Sequence, residues 1–253
     1  MKKITITVFS ILMLLALCGF TYENTNSDLV KHEYISTETE NVSKIVIADV
    51  NADILIKKSD TNSIVVEYYD FSDNPVYTIS AVAETLEIEK IYDPNTSVAA
   101  NPCKPLVVYV PDKQKYEISI YNRGGSIECE SIDATKFSAN MVSGNITLNN
   151  VSADNIELQS RVGDISIGNV VSNSINISGV ITNISFDCVL AYNYNCSTGK
   201  GNISGTIVGS SNEYSIDSHT FWGSNNLSNK MITDSNNVIY IRTSIGNIDL
   251  TFV

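Results

Sequence analysis

From Gly125 onward, apolar and polar positions recur with a period of nineteen residues. The triplets Gly125-Ser126-Ile127, Gly144-Asn145-Ile146, Gly163-Asp164-Ile165, Thr182-Asn183-Ile184 and Gly201-Asn202-Ile203 each begin nineteen residues after the last. A further copy, Gly246-Asn247-Ile248, follows forty-five residues on, two periods plus seven. Two residues beyond the Ile stand Cys129, Leu148, Ile167, Phe186 and Gly205. Seven residues after the leading position come Ile132, Val151, Val170, Val189 and Val208. At nine come the small Ala134, Ala153, Ser172, Ala191 and Ser210. Phe137, Ile156, Ile175 and Tyr194 follow at twelve, and Ala139, Leu158, Ile177 and Cys196 at fourteen. Most of the remaining positions are Asn, Ser, Thr, Asp or Glu.

Apolar residues two apart share one face of a strand. Each period therefore predicts one strand around the Ile and another around the twelve-to-fourteen pair, with position seven pointing inward near a corner. Gly, Asn or Asp supplies the positive φ that a tight corner requires. No period holds ten residues of helical pattern, so helix-bearing repeats are disfavoured. The expected fold is all-β, a parallel β-solenoid of 19-residue rungs in which the Ile positions stack as an interior ladder. Gly205 and Thr182 break the pattern and mark the fourth and fifth rungs as the irregular ones.

Upstream, Ile118 and Ile120 fit the twelve-to-fourteen pair of a preceding rung. Ala52-Asp53-Ile54 with Ile56, then Ile64 and Val66, repeats the same offsets. Residues 43–115 are expected to be irregular β-strands that begin or cap the solenoid, and 116–253 its regular repeats, the two making a single domain from 43 to 253. Asp93 to Pro105 holds three of the five Pro and reads as a surface excursion. The seven extra residues between Asp217 and Asn237 include Phe221 and the only Trp, Trp222. Two readings stand for this pair: a cover over the C-terminal end of the stack, or a projecting contact for a sugar or protein.

The order of these elements resembles the bacterial putative-adhesin β-strand-repeat family, an exported domain of unknown function. Ile45-Val46-Ile47 followed by Ala52-Asp53-Ile54-Leu55-Ile56 is similar to its opening strand pair. Pro105-Leu106-Val107-Val108-Tyr109-Val110-Pro111 is similar to its mid-domain strand. Ser143-Gly144-Asn145-Ile146, Val162-Gly163-Asp164-Ile165 and Ile245-Gly246-Asn247-Ile248 are similar to its recurrent Ser-Gly-Asp-Ile element. The resemblance covers roughly Ser43 to Val253. It implies a β-solenoid at the cell envelope with an adhesive or envelope-stress role, and it carries over no catalytic residue.

The N-terminus reads as an address. Met1-Lys2-Lys3 precedes an apolar run from Ile4 to Leu17, of secretory rather than membrane-spanning length. Residues 1–18 are expected to be a signal peptide. Leu15-Ala16-Leu17-Cys18 is similar to a lipobox, with Leu17 departing from the small residue usual there, so Cys18 is the candidate lipidation site. The polar segment 19–42 is expected to be a tether. Three outcomes stay open: a lipoprotein, a freely secreted chain, or an uncleaved anchor.

Composition narrows the chemistry. Lys plus Arg total 16 against 28 Asp plus Glu, a net charge of −12. That disfavours nucleic acid, which needs clustered cations. The five Cys (Cys18, Cys103, Cys129, Cys188, Cys196) contain no Cys-x-x-Cys pair, so no metal or redox centre is expected. Cys129 and Cys196 fall at inward positions, and a disulfide between Cys188 and Cys196, on one rung, stays open. Asn145, Asp164, Asn183, Asn202 and Asn247 line one corner and read as turn formers rather than calcium ligands, because only one is a carboxylate. No cofactor is expected. The favoured function is a non-catalytic envelope or secreted surface module, binding an unidentified cell-surface glycan, peptide or protein and meeting the membrane through the lipid anchor. The alternative is a polysaccharide-active β-helix lyase or hydrolase. That needs carboxylates clustered with a cation across neighbouring rungs, and Arg161 with Asp164 is the nearest such grouping.

Overall fold

The computed structural model describes residues 29–37, 41–71, 75–91, 104–233 and 235–253. Cys18, Cys103, the leader and residues 93–103 of the Pro-rich excursion lie outside the described residues. Each regular rung is two strands, one in a front sheet and one in a back sheet, with the apolar ladders between them. The chain runs β2 (Lys44–Asp49, front), β3 (Ile54–Lys58, back), then out to the N-terminal end as β4 (Val65–Phe71), β5 (Tyr77–Val82), β6 (Thr85–Lys90) and β7 (Leu106–Val110). It returns as β8 (Tyr116–Asn122) and β9 (Ile127–Glu130). The regular rungs follow: β10 (Asp133–Ser143) with β11 (Ile146–Asn149), β12 (Ser152–Val162) with β13 (Ile165–Gly168), then β14 (Val171–Ile181). β15 (Ile184–Lys200) starts in the back sheet beside β13 and turns the corner unbroken into the front sheet beside β14. β16 (Ile203–Ile207), β17 (Ser215–Trp222), β18 (Val238–Ile245) and β19 (Ile248–Phe252) complete the stack.

The nineteen-residue spacing becomes strand register. Ile54, Ile127, Ile146, Ile165, Ile184, Ile203 and Ile248 pair in one unbroken back ladder, all buried. On the front, Ile45, Ile118, Phe137, Ile156, Ile175, Tyr194, Ile239 and Ile216 do the same. Each such burial removes roughly 1.5–3 kcal/mol worth of apolar side chain from water. Gly205 leaves room beside Phe186, its partner on β15. The rings of Phe186, Tyr194, Tyr214 and Phe252 form a chain of contacts, with neighbouring centroids about 6 Å apart, that fills this end of the core. The Tyr194 hydroxyl donates to the Val189 carbonyl at 2.9 Å, which satisfies a buried polar group.

The corner line is a ladder of backbone capture. The Asn145 side-chain oxygen accepts the Asp164 N–H at 2.9 Å. Asn183 Oδ1 accepts from Asn202 at 2.9 Å, and Asn202 Oδ1 from Asn247 at 2.8 Å. Asp164 accepts both the backbone and side-chain N–H groups of Asn183. These residues thus hold turns together across rungs, and the Asp164 carboxylate of the Arg161 grouping is spent in that role. A second corner, not visible as a hydrophobic pattern, has Ser131, Asn150, Asn169 and Cys188 at positive φ. Asn tolerates that region better than most residues.

Several expectations need correction. The segment 19–42 is not all tether: Leu29–Ile35 is β1, paired antiparallel with β4. It was hidden because backbone pairing, a Lys31–Glu67 ion pair at 2.8 Å and stacking of His32 on Tyr68 hold it, rather than an apolar face. Ile64 and Val66 are buried but do not make the second strand of a parallel rung. β4 runs antiparallel to β7 in the back sheet, and alternation reports burial, not strand direction. On the fifth rung Ile207, not Val208, pairs with Val189, because the register shifts after Phe186. Phe221 and Trp222 do not cover the stack. That is done by the chain after them: Asn226 pairs with Ile248 and Leu250 of β19, and Lys230 exchanges two backbone hydrogen bonds with Ile216 of β17. Cys188 and Cys196 are both free thiols, the first exposed and the second buried in the core.

Burial pushes the Cys196 thiol up to about 12 from an ordinary 9.0, and raises Cys129 in the same direction. The folded chain keeps protons that the unfolded chain releases, so the contribution of these thiols to stability is full below pH 9 and falls as pH rises from about 9 toward 12. In native protein, peptide mapping after alkylation should find Cys188 modified and Cys129 and Cys196 intact until denaturant is added. Equal labelling of all three would contradict the inward placement.

Candidate binding face

The outward side of the front sheet carries the side chains that the core does not use. Register places them in columns that run along the solenoid axis, one residue per strand. One column reads Ser138, Glu157, Asn176, Asn195, Tyr240 and Asp217. The next reads Tyr121, Asn140, Gln159, Ser178, Ser197, Arg242 and His219. Between them the surface dips into two shallow depressions of about 300 and 350 Å³. The first is lined by Ser138, Asn140, Glu157 and Gln159 with Tyr121. The second is lined by Glu157, Gln159, Asn176, Ser178, Asn195 and Ser197.

The charges on this face are tied. Lys136 meets Glu157 at 2.8 Å, and Arg242 meets Asp217 at 2.9 Å while its guanidinium lies 4.5 Å from the Tyr240 ring centre. What is left facing outward is mainly amide and hydroxyl. An amide offers two donors and two acceptor lone pairs, so a row of them matches any ligand rich in hydroxyl groups. Among the described residues, no three His, Cys, Asp or Glu side chains come together as a metal-binding group.

Beyond the polar columns, at the last residue before the glycine corner, lies a third column: Ser143, Val162, Ile181, Lys200, Ile245 and Trp222. Val162, Ile181 and Ile245 are about half exposed, as is Val180 beside them. The ridge ends on Phe221 and Trp222, 70% and 67% exposed, whose rings meet edge to face at 5.4 Å. Lys200 interrupts this column between Ile181 and Ile245, leaving two exposed apolar stretches along the edge of the sheet. At the same end, a groove of about 890 Å³ is lined by Met231, Ile232, Val238 and Tyr240. Of the residues singled out by sequence, Phe221 follows the outward alternation of Asp217 and His219, whereas Trp222 follows that of the inward Ile216 and Ser218 and stands exposed at the glycine corner. The amide columns and the aliphatic ridge were missed. Their signal was present as polar residues at thirteen and fifteen after each leading position, and as Val162 and Ile181 at eighteen, where Ser143 and Lys200 stand in the other two periods.

The Toastrack DUF4097 family model matches residues 42–204, more than half of the sequence. The chain belongs to that family. The match takes in the rungs from β2 to the start of β16 and leaves the aromatic pair beyond it. A crystal structure of a putative adhesin from Bacteroides fragilis NCTC 9343 is similar with a TM-score of 0.58 at 16% identity, over 88% of this chain and 97% of that one. At that identity the likeness concerns the fold. A putative cell adhesion protein from Clostridium sporogenes aligns over 88% of this chain and 100% of its own, with 11% identity and a TM-score of 0.42. A putative adhesin from Parabacteroides distasonis covers 89% and 98%, at 13% identity and 0.41. No curated protein matches the sequence. The fold is that of the Toastrack family. No helix among the described residues is long and apolar enough to cross a membrane.

Proposed function

We propose that this chain is an exported, non-catalytic surface-binding module that holds an uncharged, extended glycan along the outer face of its front sheet. One observation carries the reading: amide and hydroxyl columns repeat in register, and the edge of the sheet beside them carries exposed apolar residues and the exposed pair Phe221 and Trp222. A sugar ring has hydroxyls at its edge and C–H groups on its faces. Amides satisfy the first, and aliphatic or aromatic side chains cover the second. The columns step from strand to strand by about 4.8 Å. A polymer lying across the rungs therefore meets the same chemistry again at each step, and weak contacts add along its length. The name adhesin given to the similar structures accords with such a role. The leader and Cys18 fit display at the envelope, as a lipoprotein or after release.

The test is equilibrium binding of the purified chain to a panel of uncharged polysaccharides, with a cationic peptide as comparator. Trp222→Ala and the pair Asn176→Ala with Asn195→Ala should each weaken polysaccharide binding by about tenfold or more, a loss of about 1.4 kcal/mol. None of the three side chains is in the core, so folding should be unaffected. Binding that ignores both variants, or a preference for the peptide, would reject the glycan reading. Intact mass of the membrane-bound and released forms from the native host decides the anchor.

A further inference from the structure

The N-terminal cap buries a cluster that the repeat does not need. Lys90, at the end of β6, and Asp49, at the end of β2, have side chains only 1% and 0% exposed, with 3.9 Å between Nζ and the carboxylate. The Asp49 carboxylate is otherwise engaged. Its Oδ1 accepts the backbone N–H groups of Val50, Asn51 and Ala52 at 2.6, 2.9 and 2.8 Å, and its Oδ2 accepts the Tyr77 hydroxyl at 2.5 Å. Burial, together with the neighbouring Asp49 charge, pushes the Tyr77 phenol upward, so it stays a donor. The Lys90 amine also meets a neutral amide: Nζ donates to Asn51 Oδ1 at 2.7 Å. The Tyr77 ring lies beside the amine, its centre 5.3 Å from Nζ.

A buried amine and a buried carboxylate are thus held beside a half-buried amide carbonyl. Positioned groups react as though at very high local concentration. We infer that Lys90 and Asn51 become joined by an isopeptide bond, with Asp49 as the proton carrier. The Lys90 ammonium passes a proton to Asp49, and the freed amine attacks Cγ of Asn51. Asp49 relays protons from Nζ to the departing nitrogen as the Nζ–Cγ bond forms and the Cγ–Nδ2 bond breaks. Lysine ammonium plus asparagine amide gives one new amide plus ammonium, with no oxidant, reductant or cofactor. The bond would fasten β6, the outer parallel strand of the cap, to the corner between β2 and β3, closing a loop of 39 residues.

Peptide mapping of the purified full chain by mass spectrometry tests this directly. The expected result is a linked pair of peptides containing Lys90 and Asn51, lighter than their sum by one ammonia. Lys90→Arg should abolish the link while keeping the β-sheet circular dichroism, and should lower the thermal midpoint. Separate, unmodified peptides from folded protein would overturn the inference. So would an ammonia loss that survives in Lys90→Arg, since that marks a succinimide at Asn51. Neither outcome bears on the glycan reading, which rests on the opposite end and the front face.

Discussion

Ile165→Asp should leave the chain largely unfolded, while Ser166→Asp should shift its denaturation midpoint hardly at all. Ile165 is fully buried between Ile146 and Ile184 in the back ladder. Replacing it removes about 1.5–3 kcal/mol of apolar burial and inserts a carboxyl with no partner, which costs several kcal/mol more whether it ionises or takes up a proton. Domains have only about 5–15 kcal/mol in hand. Ser166 stands one residue on, exposed, between Thr147 and Ser185. A carboxylate there stays in water. Urea melts followed by circular dichroism compare the two variants under one condition. Similar midpoints would mean that the inward and outward sets have been exchanged, and with them every column of the binding face.

How much could be read beforehand follows from what repeats. The stacked rungs were legible because each buried position recurs in register, so Ile127, Ile146 and Ile165 report on one another. The ends were not. At the N-terminal end the β6–β7 rung sits outside β2–β3, although it follows them in sequence. At the other end β18 inserts between β15 and β17. Hydrophobic alternation says that Ile64 and Val66 are buried, but not which strand they meet or in which direction. β1 escaped because its energy lies in backbone pairing. The Asp49, Asn51, Tyr77 and Lys90 cluster escaped because its members belong to no repeat and meet only through the reordered cap. The binding face lies between these cases. Its columns repeat, yet outward residues answer to the ligand rather than to packing, and polar residues at a surface are the ordinary state.

The second large effect is expected at the glycine corner. Gly163 has φ +132°, and a Cβ there would lie 2.0 Å from the Gly144 carbonyl oxygen of the preceding rung. Both the strained backbone and the clash with fixed main chain oppose a side chain. Together they should cost Gly163→Ala roughly 2–6 kcal/mol. Gly168→Ala is the internal control: its nearest neighbour is a side-chain atom at 3.6 Å and its φ lies outside the left-handed range. It should fall within about 1 kcal/mol of the parent, in either direction. Thr182 shows what the corner needs when glycine is absent. It leaves the positive-φ conformation, turns inward, and donates to the Ser160 carbonyl at 3.3 Å. Gly179 makes the room, since a Cβ there would come within 2.5 Å of the Thr182 Cβ. One substitution at Gly163 brings no such compensation. If Gly163→Ala melted with Gly168→Ala, the rungs could not be as close as the backbone contacts at Gly144, Gly163, Gly201 and Gly246 require. The strand-to-strand step of the amide columns would then be wrong as well. The corner that sets stability also sets the spacing with which the front face meets its ligand.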